Sequence, residues 1–418
     1  MLSTECLAAV KSRFEFSPMG EPSGNLTIGR GRAYAGIGKP PVPIFIAIVE
    51  NKIASGSLGV KECDKLASLC KVVGAQKCGL VLYLDSAGAR VSEGLAALGA
   101  FRYLYRAALS VAARGAPFAV ICGANCFGGA SMLAALGGSR LYSANTRFAM
   151  SGPSILAQAA GISALDDIFM AMSMAAINGE ARAKLGANEA MATDPLSTSL
   201  PAPDVNALVE RHRLLGTRLA QLNNAARHVS AEKVERKDLA KLYPGGYRLE
   251  EHSGVLSGEA SRDGQAVALA GFIGGKVLGA ARAWAQADIF WKMLAPDAHS
   301  ALPKTLHLLL DCESHATSLD DERIMLSAYL ADLACALHAL AQAGTHIETT
   351  VLGKLGGGVY VALCAPAVQV NLVYGAEIQV LPGRALASIL GDAAPQQFKF
   401  AEYKAARVAD QELKLGIV

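Results

Sequence analysis

Two segments of this chain put adjacent glycines between an apolar, strand-like run and a helix-forming run: ANCFGGAS, with Gly128 and Gly129 followed by Ala130, and GKLGGGVY, with Gly356, Gly357 and Gly358. Such a corner brings bare backbone N–H groups to the edge of a site, because glycine has no Cβ to hold a ligand atom away. The start of the following helix adds a partial positive charge, so the corner suits an anion. One donor aimed at a developing oxyanion lowers a barrier by roughly 2.7–4 kcal/mol. The same segments also read as close-packing turns where a helix presses on a strand; their recurrence in both halves of the chain favours the anion-holding reading. Neither fits the glycine patterns that cradle nucleotide phosphates.

Other reactive residue types are less suggestive. His315 stands beside Ser314, but neighbours in a loop seldom form a nucleophile and base pair. Cys126, just before the first glycine pair, reads as a small buried apolar residue rather than a nucleophile. Tyr103 and Tyr105 with Arg102 and Arg106 give one helix an aromatic and a basic face, which core packing and solvated charge explain.

The elements that must carry the glycine corners occur twice in the same order. In the first half, strand-like runs PIFIAIVE (Pro43 to Glu50) and GLVLYLD (ending at Asp85) flank a helix near Val60 to Val73. The loop SAGAR then leads to a helix from about Ser92 to Arg114. PFAVICG, the first glycine corner, the helix SMLAALGG and the strands RLYSA and TRFAMS follow. In the second half QAVALAGFIGG, a helix over about Ala280 to Leu294, and LHLLLDC with Asp311 repeat the pattern. Ser318 with Asp321 caps a helix expected to run to about Ala343, and IETTVLG, the glycine triplet, VYVALCA, VQVNLV and AEIQVL complete it before Pro382 and Gly383. Aligning Asp85 with Asp311 brings Gly129 opposite Gly357 to within two residues, which points to a duplication. Short apolar runs alternating with amphipathic helices predict an α/β fold with parallel-rich, helix-covered sheets. A charged, helix-favouring stretch from about Leu200 to Gly246 connects the halves, which are taken as domains 1–230 and 231–418.

At 418 residues, length favours two domains, and 52% apolar against 18% charged residues leaves little polar cover for a lone monomer. A homo-oligomer is expected. A net charge of +3 without a basic run interleaved with aromatics argues against nucleic acid. Nine cysteines without a C-x-x-C pair read as buried thiols of a reducing cytoplasm. No secretory leader is read at the N-terminus, where Glu5 interrupts a short apolar stretch, and no run reaches the roughly 18 apolar residues of a membrane span.

LYLDSAGARVSEGLAAL, then VICGANCFGGASMLAALGGSRLYSANTRFAMSGPSILAQAAGI, then NGEARAKLGANEAMATD resemble the carboxyltransferase branch of the crotonase superfamily, in particular the β subunit of biotin-independent malonate decarboxylase. The second half resembles that enzyme's γ subunit and the related carboxyltransferase α subunit of acetyl-CoA carboxylase, through GKLGGGVYVAL, LPGRALASILGDA and ELKLGIV. It departs in one loop, where the family's D-T-P-G is here Asp311-Cys312-Glu313-Ser314. The resemblance implies tandem duplicated crotonase-like (ββα superhelix) domains of the acyl-CoA carboxyltransferase type. It implies oxyanion holes at Gly128, Gly129 and Ala130 and at Gly357 and Gly358, with Ser86, Ala87, Gly88, Arg90, Glu93 and Gln158 on the substrate. Arg90 and Glu93, three apart at a helix start, equally suit a structural ion pair.

The implied reaction is decarboxylation of a malonyl-type thioester, on the phosphopantetheine arm of coenzyme A or an acyl carrier protein, with no tightly bound cofactor or metal. A homodimer, with further complex subunits, is the implied assembly. Biotin-dependent carboxyl transfer and a non-catalytic scaffold role are the alternatives. Replacing Gly129 by valine is expected to abolish turnover in a protein that stays folded.

Overall fold

Strands buried on both faces can be apolar over most of their length, as GLVLYLDS is: all eight of its residues are buried, and only the last two are polar. In the computed structural model, which describes residues 1–33, 40–162, 166–186, 188–192, 205–222, 232–295, 302–381 and 398–415, such strands form the middle of two sheets. Pro382 and Gly383 lie outside the described residues. The chain divides into two compact units, one of Met1–Glu210 with Thr317–Ala331, the other of Arg211–Ala316 with Asp332–Val418.

The first unit contains, among the described residues, an eight-stranded sheet. Its strands are β1 (Ser17–Pro18), β2 (Leu26–Ala33), β3 (Val42–Val49), β4 (Gly79–Ser86), β5 (Phe118–Phe127), β6 (Ser139–Tyr142), β7 (Arg147–Ala149) and β8 (Glu189–Met191). The order is β1-β2-β3-β4-β5-β6-β8, with β7 also on β5. β2 meets β3 antiparallel, and β3 to β6 and β8 run parallel. The N-terminal helix Ser3–Arg13 sets Cys6, Val10 and Phe14 against Ile44, Ile46 and Val81 of this sheet. The helices Val60–Gln76 and Gly94–Ala113 pack on each other.

The second unit repeats the plan with nine strands among the described residues. They are β9 (Glu232–Lys233), β10 (Tyr247–His252), β11 (Val255–Arg262), β12 (Gln265–Phe272), β13 (Thr305–Cys312), β14 (His346–Gly356), β15 (Gln369–Val373), β16 (Glu377–Gln379) and β17 (Gln411–Leu413). β11 to β17 correspond one for one to β2 to β8, down to the short strand β16 paired on β14 as β7 is on β5. The fold is thus the tandem duplicated α/β arrangement with parallel-rich sheets expected from the sequence.

Two differences from the sequence reading stand out. The antiparallel strands β2 and β11 were not legible, because LTIGRGRA and VLSGEASR carry too few apolar residues to announce a strand. The single helix expected from Ser318 to Ala343 is broken into Leu319–Arg323 and Leu326–Gln342 at Met325, whose φ is +68°. Arg102 also departs from a solvated face, being only 3% exposed. All nine cysteines are free, eight of them buried. No helix among the described residues is long and apolar enough to cross a membrane.

Candidate active site

The first glycine corner is set up by a carboxylate. Between Leu84 and Ser86 the strand β4 advances two residues while β5 advances from Cys122 to Cys126, so β5 bulges. Asp85 fills the gap: its two oxygens accept the N–H groups of Ala124 and Asn125, each at 3.0 Å. The second unit repeats the device, with a shift between Leu310 and Cys312 on β13 and Asp311 accepting the Lys354 N–H at 3.0 Å. In the sequence Asp85 and Asp311 align the two halves, and Asp311 also opens the loop that departs from D-T-P-G. Their role was missed because the amides they bind lie on another strand.

At the corner Gly128 has φ +55° and ψ −127°, a conformation only glycine adopts readily, and Gly129–Ala135 is helical from there. The Gly128 N–H donates to the Ala149 carbonyl at 3.0 Å, so this residue offers no free donor of its own. The Gly128 carbonyl accepts from the Ser131 hydroxyl at 2.8 Å and from the Met132 N–H at 3.3 Å, and therefore points into the helix. Across a planar trans peptide the next N–H points the opposite way, so the Gly129 N–H faces out of the helix start. Ala130, the second residue of the helix, likewise has no carbonyl one turn earlier in the helix to receive its N–H.

What lies in front of these two donors is Gly88. A Cβ on Gly88 would sit 2.9 Å from both the Gly129 nitrogen and the Phe127 carbonyl oxygen and 3.4 Å from the Ala130 nitrogen, so Gly88 is packed closely on this corner. Gly88 itself has φ +91°, held by its N–H on the Ser86 hydroxyl at 3.1 Å. The structure thus brings together Ser86, Ala87, Gly88, Gly128, Gly129 and Ala130. Ala87 is exposed and Gly128 and Gly129 are half-buried, which leaves the corner an open rim.

The other expected substrate contacts sit differently. Arg90 is held by Glu62 and, at 2.7 Å, by Glu93, and it donates to the Ser57 carbonyl at 2.8 Å. Glu93 also accepts the Val60 N–H at 2.8 Å, at the start of the helix Val60–Gln76. Both side chains are engaged in a structural network. Gln158 is exposed near the end of the helix Pro153–Ala159. Cys126 is fully buried, and burial pushes its thiol well above the ordinary range. Replacing Gly129 is not the clean test expected from sequence: a Cβ there would meet the ring of the buried Phe101 at 2.7 Å.

In the second unit the register pairs Phe127 with Gly356 and Gly128 with Gly357, whose φ is +53°. The pairing of Gly129 with Gly357 suggested by the sequence is off by one residue, so Gly358 and Val359 stand where Gly129 and Ala130 do. Gly357, Gly358 and Val359 are buried. The loops also correspond: the Leu58 N–H bonds the Gly88 carbonyl and the Leu278 N–H bonds that of Ser314, both at 2.8 Å. His315 therefore takes the place of Ala89. Burial lowers its pKa to about 4, so its ring is neutral at physiological pH. The Ser314 hydroxyl donates to the His315 carbonyl at 3.0 Å rather than to the ring. A groove of about 650 Å³ in this unit, lined by residues such as Ala266, Met293 and Lys304, borders neither corner.

No protein-family profile and no curated protein matches the chain. Among solved structures it is similar to transcarboxylase 12S with methylmalonyl-coenzyme A and methylmalonic acid bound (18% identity over 99% of this chain and 87% of that chain, TM-score 0.36). It is similar to a chain of the Pseudomonas malonate decarboxylase hetero-tetramer in complex with malonate (21% identity, 54% of this chain and 93% of that chain, TM-score 0.43). The β subunit of P. aeruginosa geranyl-CoA carboxylase is a third (16% identity, 99% of this chain and 84% of that chain, TM-score 0.37).

Proposed function

We propose that this protein decarboxylates a malonyl-type thioester, carried on the phosphopantetheine arm of coenzyme A or an acyl carrier protein, to the acetyl thioester and carbon dioxide. The observation that carries the reading is the first glycine corner, where Gly129 and Ala130 open a helix beside the close-packed Gly88 and the exposed Ala87. The motif resemblance around SAGARVSE and CFGGAS supports it. When the bond to the carboxylate breaks, its electron pair forms an enolate and the charge moves to the thioester oxygen. Two preorganised amides at that oxygen stabilise the transition state more than the ground state. A weak acid or water then delivers a proton to the carbon. In this reading the protein needs no tightly bound cofactor and works as a cytoplasmic homo-oligomer.

The test is product analysis by mass after incubation with malonyl-coenzyme A, with malonyl-loaded carrier protein, and with acyl-coenzyme A plus carboxybiotin. Acetyl thioester formed without biotin is the expected result. Turnover only with carboxybiotin would replace decarboxylation by carboxyl transfer, and silence in all three would point to a scaffold.

A further inference from the structure

The first glycine corner is held from behind by a salt-bridged pair that neither the motif resemblance nor the reaction assigns. We propose that Glu322 is a positioning residue for the Gly129 and Ala130 donors, acting through the backbone of residues 148–151. Glu322 belongs to the first unit although it lies more than 170 residues along the chain from the segment it binds. One carboxylate oxygen accepts the Ser151 N–H at 2.9 Å and the other the Met150 N–H at 3.2 Å. Arg182 works on the same segment: its guanidinium donates to the Phe148 carbonyl at 2.9 and 2.8 Å, and to the Glu322 carbonyl at 2.6 Å. The two side chains lie 3.7 Å apart and both are fully buried.

Between these anchors is Ala149, whose carbonyl is the acceptor for the Gly128 N–H. The direction of the Gly129 and Ala130 amides depends on the Gly128 peptide planes, and those are fixed by Ala149 on one side and Ser131 on the other. The Ser131 hydroxyl also approaches the Met150 sulfur at 3.4 Å, so the two segments share a second contact. Burial raises the Glu322 carboxyl to about 7 against the pull of Arg182 and the two N–H donors. A buried carboxylate and guanidinium that bind backbone, rather than only each other, serve to set a conformation.

The experiment compares full-length wild type with Glu322→Gln, whose single amide oxygen can satisfy only one of the two N–H groups. Amide hydrogen exchange is followed in peptides covering residues 127–131 and 146–152, with β4 as reference. Exchange roughly tenfold faster in the first two, with β4 unchanged, is expected. On the malonyl thioester, kcat should fall about 10- to 100-fold with KM within roughly twofold, because misplaced donors act on the transition state. Unchanged protection at residues 127–131, or equal loss in β4, overturns the proposal. Should Glu322→Gln not fold, Glu322→Asp keeps the charge but shortens the reach, and the same exchange pattern is required of it. The catalytic consequence rests on the thioester reading; the exchange pattern does not. A wild type inactive on every thioester would remove that reading and leave the positioning role to be judged by exchange alone.

Discussion

At the scale of single residues, Gly88 is the position where chemistry and conformation meet most directly. Gly88→Ala would place a methyl 2.9 Å from the Gly129 nitrogen, in a residue whose φ of +91° disfavours any side chain. Its kcat on the malonyl thioester is expected to drop about 100-fold, as for loss of one oxyanion donor. The accompanying loss of stability, read from thermal melts, should be about 1–2 kcal/mol. Unaltered kcat would remove the space in front of Gly129 from the mechanism. Asp85 makes a separate prediction. In Asp85→Asn one of the Ala124 and Asn125 N–H groups faces an amide donor instead of an oxygen, at a cost of about 1–3 kcal/mol by urea unfolding. Asp85→Asn as stable as wild type would show that the bulge in β5 holds without its splint.

At the scale of elements, the part of the helix Val205–Gln221 that belongs to the second unit, from Arg211 onward, is held there partly by a charged imidazole. His212 bonds Asp332 at 2.7 Å through Nδ1 and Asp288 at 3.4 Å through Nε2, and its ring stacks on Trp284 with centroids 5.1 Å apart. Trp291 donates to the other Asp332 oxygen at 3.1 Å, which completes the cage. Burial pulls the imidazole pKa down, but the hydrogen bonds to Asp288 and Asp332 outweigh it and leave the group raised to about 9. A raised pKa means that the charged form binds the folded state better. The stabilisation is therefore complete below the unfolded value near 6.5 and is lost as pH rises from there through about 9. Melting temperature should fall over that window by a few degrees, and His212→Gln should be less stable at pH 6 and lack the fall. Parallel pH curves for the two proteins would refute the assignment. A break recurs at the matching helix starts: Gly94, with φ +56°, opens the helix Gly94–Ala113, and Met325 takes the same role in the second repeat.

At the scale of the molecule, the repeats of the sequence and the compact units of the structure do not share the same residues. The first unit includes Thr317–Ala331, which the sequence places inside the second repeat. A fragment of residues 1–230 therefore lacks both the Glu322 carboxylate and the Glu322 carbonyl that bind Arg182, and breaking a buried pair of this kind costs about 3–5 kcal/mol. That is a large share of the 5–15 kcal/mol that stabilises a typical domain. The fragment alone is expected to be insoluble or partly unfolded by circular dichroism, and co-expression with residues 231–418 to restore it. A stable, cooperatively melting 1–230 fragment would show that Thr317–Ala331 is dispensable to the first unit.

Sequence alone determined the order of the parallel strands and their main helices, the duplication and the two glycine corners, because these depend on periodicity and residue type within short windows. The run GLVLYLDS could only be a buried strand, and Gly128 beside Gly129 after an apolar run could only be a tight corner. Tertiary structure decided which amides are offered to a ligand. Gly128 spends its N–H on Ala149, and Arg90 and Glu93 are drawn into a network with Glu62. The second corner is buried and shifted by one residue from the alignment. Each of these outcomes depends on a hydrogen-bond partner or a burial imposed by strands and loops distant in sequence, and a local pattern holds no record of such partners.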